Sequence, residues 1–307
     1  MDQYIQNFLI YITAIKGYSR NTVESYRSDL EQLRTQIVEE SQVSYKPNEL
    51  FWSKVDRESM TEYMASLKLR EYSAATIARK IASLRSFFGF LIDEKLIDKD
   101  PTEGIHSPKK QRVLPKTLSV DDVQELLDKS QEKDAPDSLR NAAMLELMYA
   151  TGMRVSELVG LNVNDINFED SYILCVGKGS KERMVPVYPR ALRVVSDYLN
   201  LARPKFALDK EKNAMFLNTR GKRLTRQGFW LILKKAAFDA GISQTLTPHS
   251  LRHSFASHLI NGGAALRYVQ ELLGHSSIST TQIYTHLASD KLREEYEKAH
   301  PRSGAAS

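Results

Sequence analysis

Apolar residues recur at three- and four-residue spacing along most of the chain, a pattern that predicts helices rather than strands. Ile5, Phe8, Leu9 and Ile12 trace one face of a first helix that stops near Gly17. Ser19 or Asn21 caps a second, whose buried stripe is Val23, Tyr26, Leu30 and Leu33, with Arg20, Arg27 and Arg34 off it. Glu39 to Asn48 is polar, contains Pro47 and reads as a connection. A third helix spans Arg57 to Leu69. Ser73 caps a fourth with the stripe Ile77, Ile81, Leu84, Phe88 and Leu91, leaving Arg79, Lys80, Ser83 and Ser86 away from it. Four helices on one core predict a small all-helical domain over residues 1–104.

Periodicity then breaks. The stretch holds Pro108 and Pro115 with the cations Lys109, Lys110, Arg112 and Lys116, and it reads as an extended basic linker over 105–116. A surface loop inside one domain is the alternative. From 117 to 302 the pattern predicts a second, mostly helical domain, followed by a short tail at 303–307. Ser119 and Asp122 form a capping box before Val123, Leu126 and Leu127. Ala142 to Tyr149 is strongly apolar and ends at Gly152. Tyr172–Val176 and Met184–Val187 flank Gly177-Lys178-Gly179-Ser180-Lys181-Glu182 and predict an antiparallel hairpin. Helices are expected at Arg190–Leu201, Thr225–Ala240, from Thr247, at Leu266–Leu273, after Ser279 and at Ser289–Ala299. The fold class is mainly α, in two domains, with one small antiparallel sheet.

Composition narrows this picture only a little. With 307 residues and 42% hydrophobic content, the chain can bury two cores. The net charge of +5 suits nucleic acid, but it is spread evenly, with 17 basic and 16 acidic residues up to Val113 and 26 and 22 beyond. A basic surface must therefore arise by folding, not from a charged arm. Cys175 is the sole cysteine, which excludes an intrachain disulfide and suits a reducing cytoplasm. Met1 to Thr13 lacks the basic start of a signal peptide, and no apolar run reaches membrane-spanning length, so a cytoplasmic protein is expected.

The stretch Thr247 to Leu259 carries the most chemistry. Thr247 suits a helix cap and Pro248 its first position, which puts His249 in the first turn and Arg252 one turn on. Such a helix start presents an imidazole and a guanidinium to one anion. Arg154, after Gly152, offers a second guanidinium, and two together would neutralise a phosphate as charge builds on its oxygens. Its plainer reading is a surface pair with Glu157. Lys178 on the hairpin turn is a candidate proton donor or a solvated turn lysine. Its glycines lack the spacing of a nucleotide loop. His275 follows Gly274 at a helix end. Tyr284 is a candidate nucleophile if cations favour its phenolate, or else a packed aromatic. His249 and His253 stand four apart, as in zinc sites, but Ser250 occupies the place of the glutamate, so no metal is expected. His253 and His258 are expected to be buried, hydrogen-bonding supports.

Taken in order, Thr151-Gly152-Met153-Arg154-Val155-Ser156-Glu157-Leu158, Lys178, His249-Ser250-Leu251-Arg252, Leu272-Leu273-Gly274-His275 and Ile283-Tyr284-Thr285-His286 resemble the tyrosine recombinase (phage integrase) family. The tail from Tyr284 through Lys291-Leu292-Arg293 to His300-Pro301-Arg302 is similar to its Xer branch. The resemblance implies a SAM-like, core-binding first domain and a catalytic second domain. It implies Tyr284 as the nucleophile that forms a 3′-phosphotyrosyl bond. Lys178 would protonate the 5′-oxygen, Arg154 and Arg252 hold the phosphate with His275, His249 handle the nucleophile's proton, and Glu157 orient Arg154. No cofactor is implied. The implied partners are a double-stranded, dif-like DNA site, a homo- or hetero-tetramer with a second recombinase, and a septal DNA translocase. Lys109, Lys110, Arg112 and Lys116 would touch the DNA backbone, Arg79 and Lys80 a groove, and the last helix a neighbouring protomer. The long connection before Phe51 departs from the pattern and leaves a mobile-element integrase open beside chromosome dimer resolution. A non-catalytic DNA-binding protein, a type IB-like topoisomerase and a metal hydrolase are the competing classes.

Overall fold

A computed structural model describes residues 2–41, 51–108, 117–177, 182–206, 213–274 and 286–304, without the side chains of 39–41 and 286–290. The chain divides into two compact units, Met1–Val113 and Leu114–Ser307.

In the first unit, four helices share a core. They are α1 (Gln3–Ala14), α2 (Arg20–Ser41), α3 (Arg57–Leu69) and α4 (Ala74–Asp93). Their stripes are buried as the periodicity requires, from Ile5, Phe8 and Ile12 to Leu84, Phe88 and Leu91. Ser19, not Asn21, starts α2, since its hydroxyl accepts from the Thr22 N–H. Asp2 caps α1 through the N–H groups of Tyr4 and Ile5, and its other oxygen accepts from the Trp52 indole at 3.1 Å. Trp52, which follows the polar connection, is fully buried against Phe87 and Phe88.

One expectation for this unit fails. Lys80 and Ser83 are buried, not set aside from the stripe. The cause is Asp29 on α2, only 1% exposed, whose carboxylate receives Lys80 Nζ at 2.9 Å, Ser83 Oγ at 3.1 Å and the Arg79 guanidinium. Lys80 also donates to Gln32 and lies under the Tyr72 ring. Its ammonium is therefore an internal counterion and not a groove contact, while Arg79 keeps a 42% exposed side chain beside the same carboxylate.

The second unit is built around α6 (Pro136–Thr151), whose residues from Ala142 to Thr151 are all buried. Around it lie α5 (Val120–Ser130), the short α7 (Val155–Gly160), α8 (Pro189–Asp197), α9 (Arg203–Phe206), α10 (Arg226–Asp239), α11 (Pro248–Asn261), α12 (Leu266–Leu273) and α13 (His286–Ala299). The expected helix Arg190–Leu201 ends earlier as α8 and passes through a π turn, Tyr198–Ala202, into α9. Three antiparallel strands, β1 (Ile166–Asn167), β2 (Tyr172–Val176) and β3 (Glu182–Pro186), run in the order β1-β2-β3, with Cys175 opposite Arg183. The two-residue β1 and the six-residue α7 are too short to leave a periodic signal.

In this structure α13 packs on its own domain: Leu292, Tyr296 and Ala299 are buried, and Tyr296 Oη donates to Ala150 O at 2.9 Å. Past it, Arg302 Nε reaches the buried Glu146 carboxylate at 3.2 Å, where Gln131 and Tyr188 also donate. The helix expected after Ser279 lies outside the described residues. No helix among the described residues is long and apolar enough to cross a membrane.

Removing one cation from a buried carboxylate exposes the cost of its desolvation, so Lys80→Met should lower the unfolding free energy by about 3 kcal/mol in chemical denaturation. If Lys80 instead faced DNA, the variant would keep its stability and lose affinity.

Candidate functional site

The helix start predicted at Thr247 forms as the sequence requires. Thr247 Oγ1 accepts the Ser250 N–H at 3.1 Å, Ser250 Oγ accepts the Thr247 N–H at 3.2 Å, and Pro248 occupies the first position of α11. Leu251, Phe255 and Leu259 then anchor the helix in the core, with His249 exposed and Arg252 half-buried. His258 is a buried support: its Nε2 donates to Leu118 O at 2.9 Å, so its Nδ1 accepts from Tyr149 Oη at 2.8 Å. Burial lowers its pKa. His253 is exposed, contrary to expectation, because the buried face of α11 turns past it.

Arg252 reaches across two backbone segments. Its Nη1 donates to Gly152 O at 2.6 Å and its Nη2 to Leu273 O at 2.7 Å. Gly152 takes φ +56°, and a Cβ there would stand 2.2 Å from the Phe255 ring, so only glycine lets the end of α6 meet α11 this closely. Arg154 follows two residues later and precedes α7. Glu157, at the third position of α7, accepts the Arg154 backbone N–H at 2.8 Å and its Nη1 at 2.9 Å. The surface-pair reading of Arg154 and Glu157 does not hold, because the Glu157 side chain is only 4% exposed.

A third guanidinium joins them that the sequence did not single out. Arg183 on β3 donates Nη1 and Nη2 to the two Glu157 oxygens at 3.0 and 2.7 Å, and Nε to Leu272 O at 2.8 Å. Three arginines thus approach three consecutive carbonyls at the end of α12: Arg183 at Leu272, Arg252 at Leu273 and Arg154 at Gly274, the last at 3.4 Å. These are the unpaired carbonyls of a helix end, which carry the negative pole of its dipole. No sequence signal marked Arg183, which stands beside Glu182 just before the apolar run Met184–Val187.

Electrostatics follow the geometry. Burial acts to raise the Glu157 carboxyl, but hydrogen bonds from Arg183 and from the Arg154 N–H, with the Arg183 charge, outweigh it and hold the pKa below its ordinary value. Burial, then the Arg154 charge, pushes Arg252 down to about 10, so it stays a cation at neutral pH. Burial pushes the Cys175 thiol, opposite Arg183, up to about 12 and keeps it protonated. No group of three or more His, Cys, Asp or Glu among the described residues is placed to hold a metal ion. The structure therefore brings together Arg154, Glu157 and Arg252 at the end of α12. Lys178, His275 and Tyr284, like Lys109, Lys110, Arg112 and Lys116, lie outside the described residues.

Known proteins share both the pattern and the fold. The Phage integrase family matches residues 116–291, and the Phage integrase N-terminal SAM-like domain matches residues 5–95. A tyrosine recombinase XerC of Herpetosiphon aurantiacus is 47% identical over 306 residues, 100% of this chain and 97% of the relative. A tyrosine recombinase XerD of Halalkalibacterium halodurans is 44% identical and covers 97% of this chain and 98% of its own. Among solved structures, the XerH site-specific recombinase bound to difH substrate has a TM-score of 0.68 at 22% identity over 95% of this chain and 93% of its own. A lambda integrase tetramer bound to a Holliday junction has 0.63 at 20%, over 95% and 77%. These two are likenesses of fold.

Because the folded Glu157 pKa is depressed, its ionisation contributes stability that is complete above the ordinary carboxyl value and is lost as pH falls through the folded one. Stability to urea should therefore decline below about pH 4.5. Glu157→Gln should flatten that decline and cost about 3 kcal/mol at pH 7. A variant that keeps the wild-type acid slope would remove Glu157 from the account.

Proposed function

The chain belongs to the phage integrase family as a site-specific tyrosine recombinase of the Xer type, and from that premise we propose that Tyr284 is its nucleophile and the Arg154–Arg252 cradle its phosphate site. The carrying observation is the convergence of Arg154 and Arg252 on adjacent carbonyls at the end of α12, one residue before His275. Each of these two guanidiniums has five N–H donors and spends two on protein acceptors, leaving three for phosphate oxygens.

The chemistry balances without a cofactor. The Tyr284 oxygen attacks phosphorus and gives up its proton to His249, while the bond to the 5′-oxygen breaks. Lys178 protonates that oxygen, leaving a 3′-phosphotyrosyl ester and a 5′-hydroxyl. One phosphoester replaces another, so little free energy is lost and the partner strand's 5′-hydroxyl reverses the step on the second duplex. Charge grows on the non-bridging oxygens in the five-coordinate transition state, where Arg154, Arg252 and His275 oppose it. The exposed His249 stands at the start of α11, one turn before Arg252.

The substrate is a double-stranded, dif-like DNA site, and two rounds of strand exchange through a Holliday junction need four protomers, with a second recombinase or further copies of this chain. Lys109, Lys110, Arg112 and Lys116 meet the DNA backbone, and Arg79 is the remaining groove candidate of the first unit. In the cytoplasm the reaction resolves chromosome dimers at division, with a septal DNA translocase as the activator.

The test is covalent trapping. Incubation with nicked duplexes carrying chromosomal fragments should give a protein–DNA adduct, recover one short site, and lose the adduct in Tyr284→Phe. Relaxation of a supercoiled plasmid that lacks the site would instead favour topoisomerase chemistry.

A further inference from the structure

Arg183 is buried, 7% exposed, on β3. It closes a fork on Glu157 and in the same geometry holds Leu272 O. Glu157 is thereby doubly bound: Oε1 accepts from Arg183 and Arg154 side chains, and Oε2 from Arg183 and the Arg154 backbone. The Arg183 side chain also packs against Gly274, where a Cβ would come within 3.2 Å of its Cδ and Nη1.

Charge decides what this arrangement does. With Arg183 absent, the Glu157 carboxylate would be balanced by Arg154 alone, and a phosphate would compete with it for that guanidinium. With Arg183 present, that carboxylate is shared between two guanidiniums, and its hold on Arg154 is weaker. A five-coordinate phosphorus approaches two negative charges, and a guanidinium less engaged by Glu157 opposes that added charge more than it does the single charge of the ground-state diester.

We propose that Arg183 is a positioning residue for strand cleavage, satisfying Glu157 and fixing the end of α12 so that Arg154 is presented to the scissile phosphate. It acts through Glu157 and the carbonyl, without touching DNA. The proposal rests on the reading of Tyr284 and the arginine cradle given above.

The experiment measures single-turnover adduct formation on the trapped site, at saturating protein, beside DNA affinity and thermal unfolding. Arg183→Met should slow cleavage about 100-fold while affinity stays within about threefold. Arg183→Lys keeps the charge but cannot fork, and should recover less than about a tenth of the wild-type rate. Because Arg183 acts through Glu157, the double variant Arg183→Met with Glu157→Gln should be no slower than the slower single variant. Cleavage by Arg183→Met within threefold of wild type, a loss of rate matched by an equal loss of affinity, or multiplying effects in the double variant would each overturn the proposal. If Arg183→Met does not fold, Arg183→Lys decides: a wild-type rate overturns the proposal and a slow one upholds it. A wild-type protein that forms no adduct overturns the underlying reading as well, whereas a reactive wild type beside an equally reactive Arg183→Met overturns the positioning role alone.

Discussion

One buried carboxylate and one helix end hold three guanidiniums together. Like charges at this spacing repel, and burial removes the water that would screen them. Glu157 and the carbonyls of Leu272, Leu273 and Gly274 supply the opposing charge. Each acceptor is fixed by something outside the site. Glu157 is set by the first turn of α7, and the carbonyls by the left-handed Gly274 that stops α12. A preformed cationic site needs little rearrangement when the phosphate arrives, the condition under which such groups lower a barrier most.

The glycine at 152 links this site to the core. Its positive φ ends α6, its carbonyl receives Arg252, and its missing side chain admits Phe255. The most deeply buried helix of the domain therefore terminates at the arginine cluster, and the rigidity of the core passes to Arg154 through two residues of chain. Phe255 lies one turn beyond Arg252 on α11, so the same contact seats both arginines.

A second buried polar cluster ties residues 300–302 to α6. His300 is enclosed by the Tyr149, Tyr188, Phe255 and Tyr296 rings, and burial pushes its imidazole down to about 3, so it is neutral and accepts the Arg302 N–H at 3.2 Å. Arg302 neutralises Glu146, which α6 carries fully buried. The chain after Tyr284 is thus tied to the same helix that ends at Gly152. Gly262 makes room for this, because a Cβ there would lie 2.2 Å from Ala299 O. Tyr284 belongs to a segment bounded by α12 on one side and by this anchor on the other.

Periodicity alone placed the four helices of the first unit, the apolar α6, the hairpin strands and the capped start of α11, because each rests on local spacing and on residues within one turn. The ordered motifs also marked Arg154, Glu157 and Arg252, since their chemistry is readable without knowing their neighbours. What local spacing could not show is which charged residues turn inward. Asp29 drew Lys80 into the first core from a position that looked solvent-facing, and Glu157 drew in Arg183 from a strand whose pattern gave no reason to single it out. Glu146 did the same for Arg302 across 156 residues. A buried charge is stable only beside its counterion, and the partner of each was chosen by the packing of distant segments. The sequence by itself therefore determined the elements and the reactive groups, while tertiary structure alone decided the ion pairs that hold those groups in place.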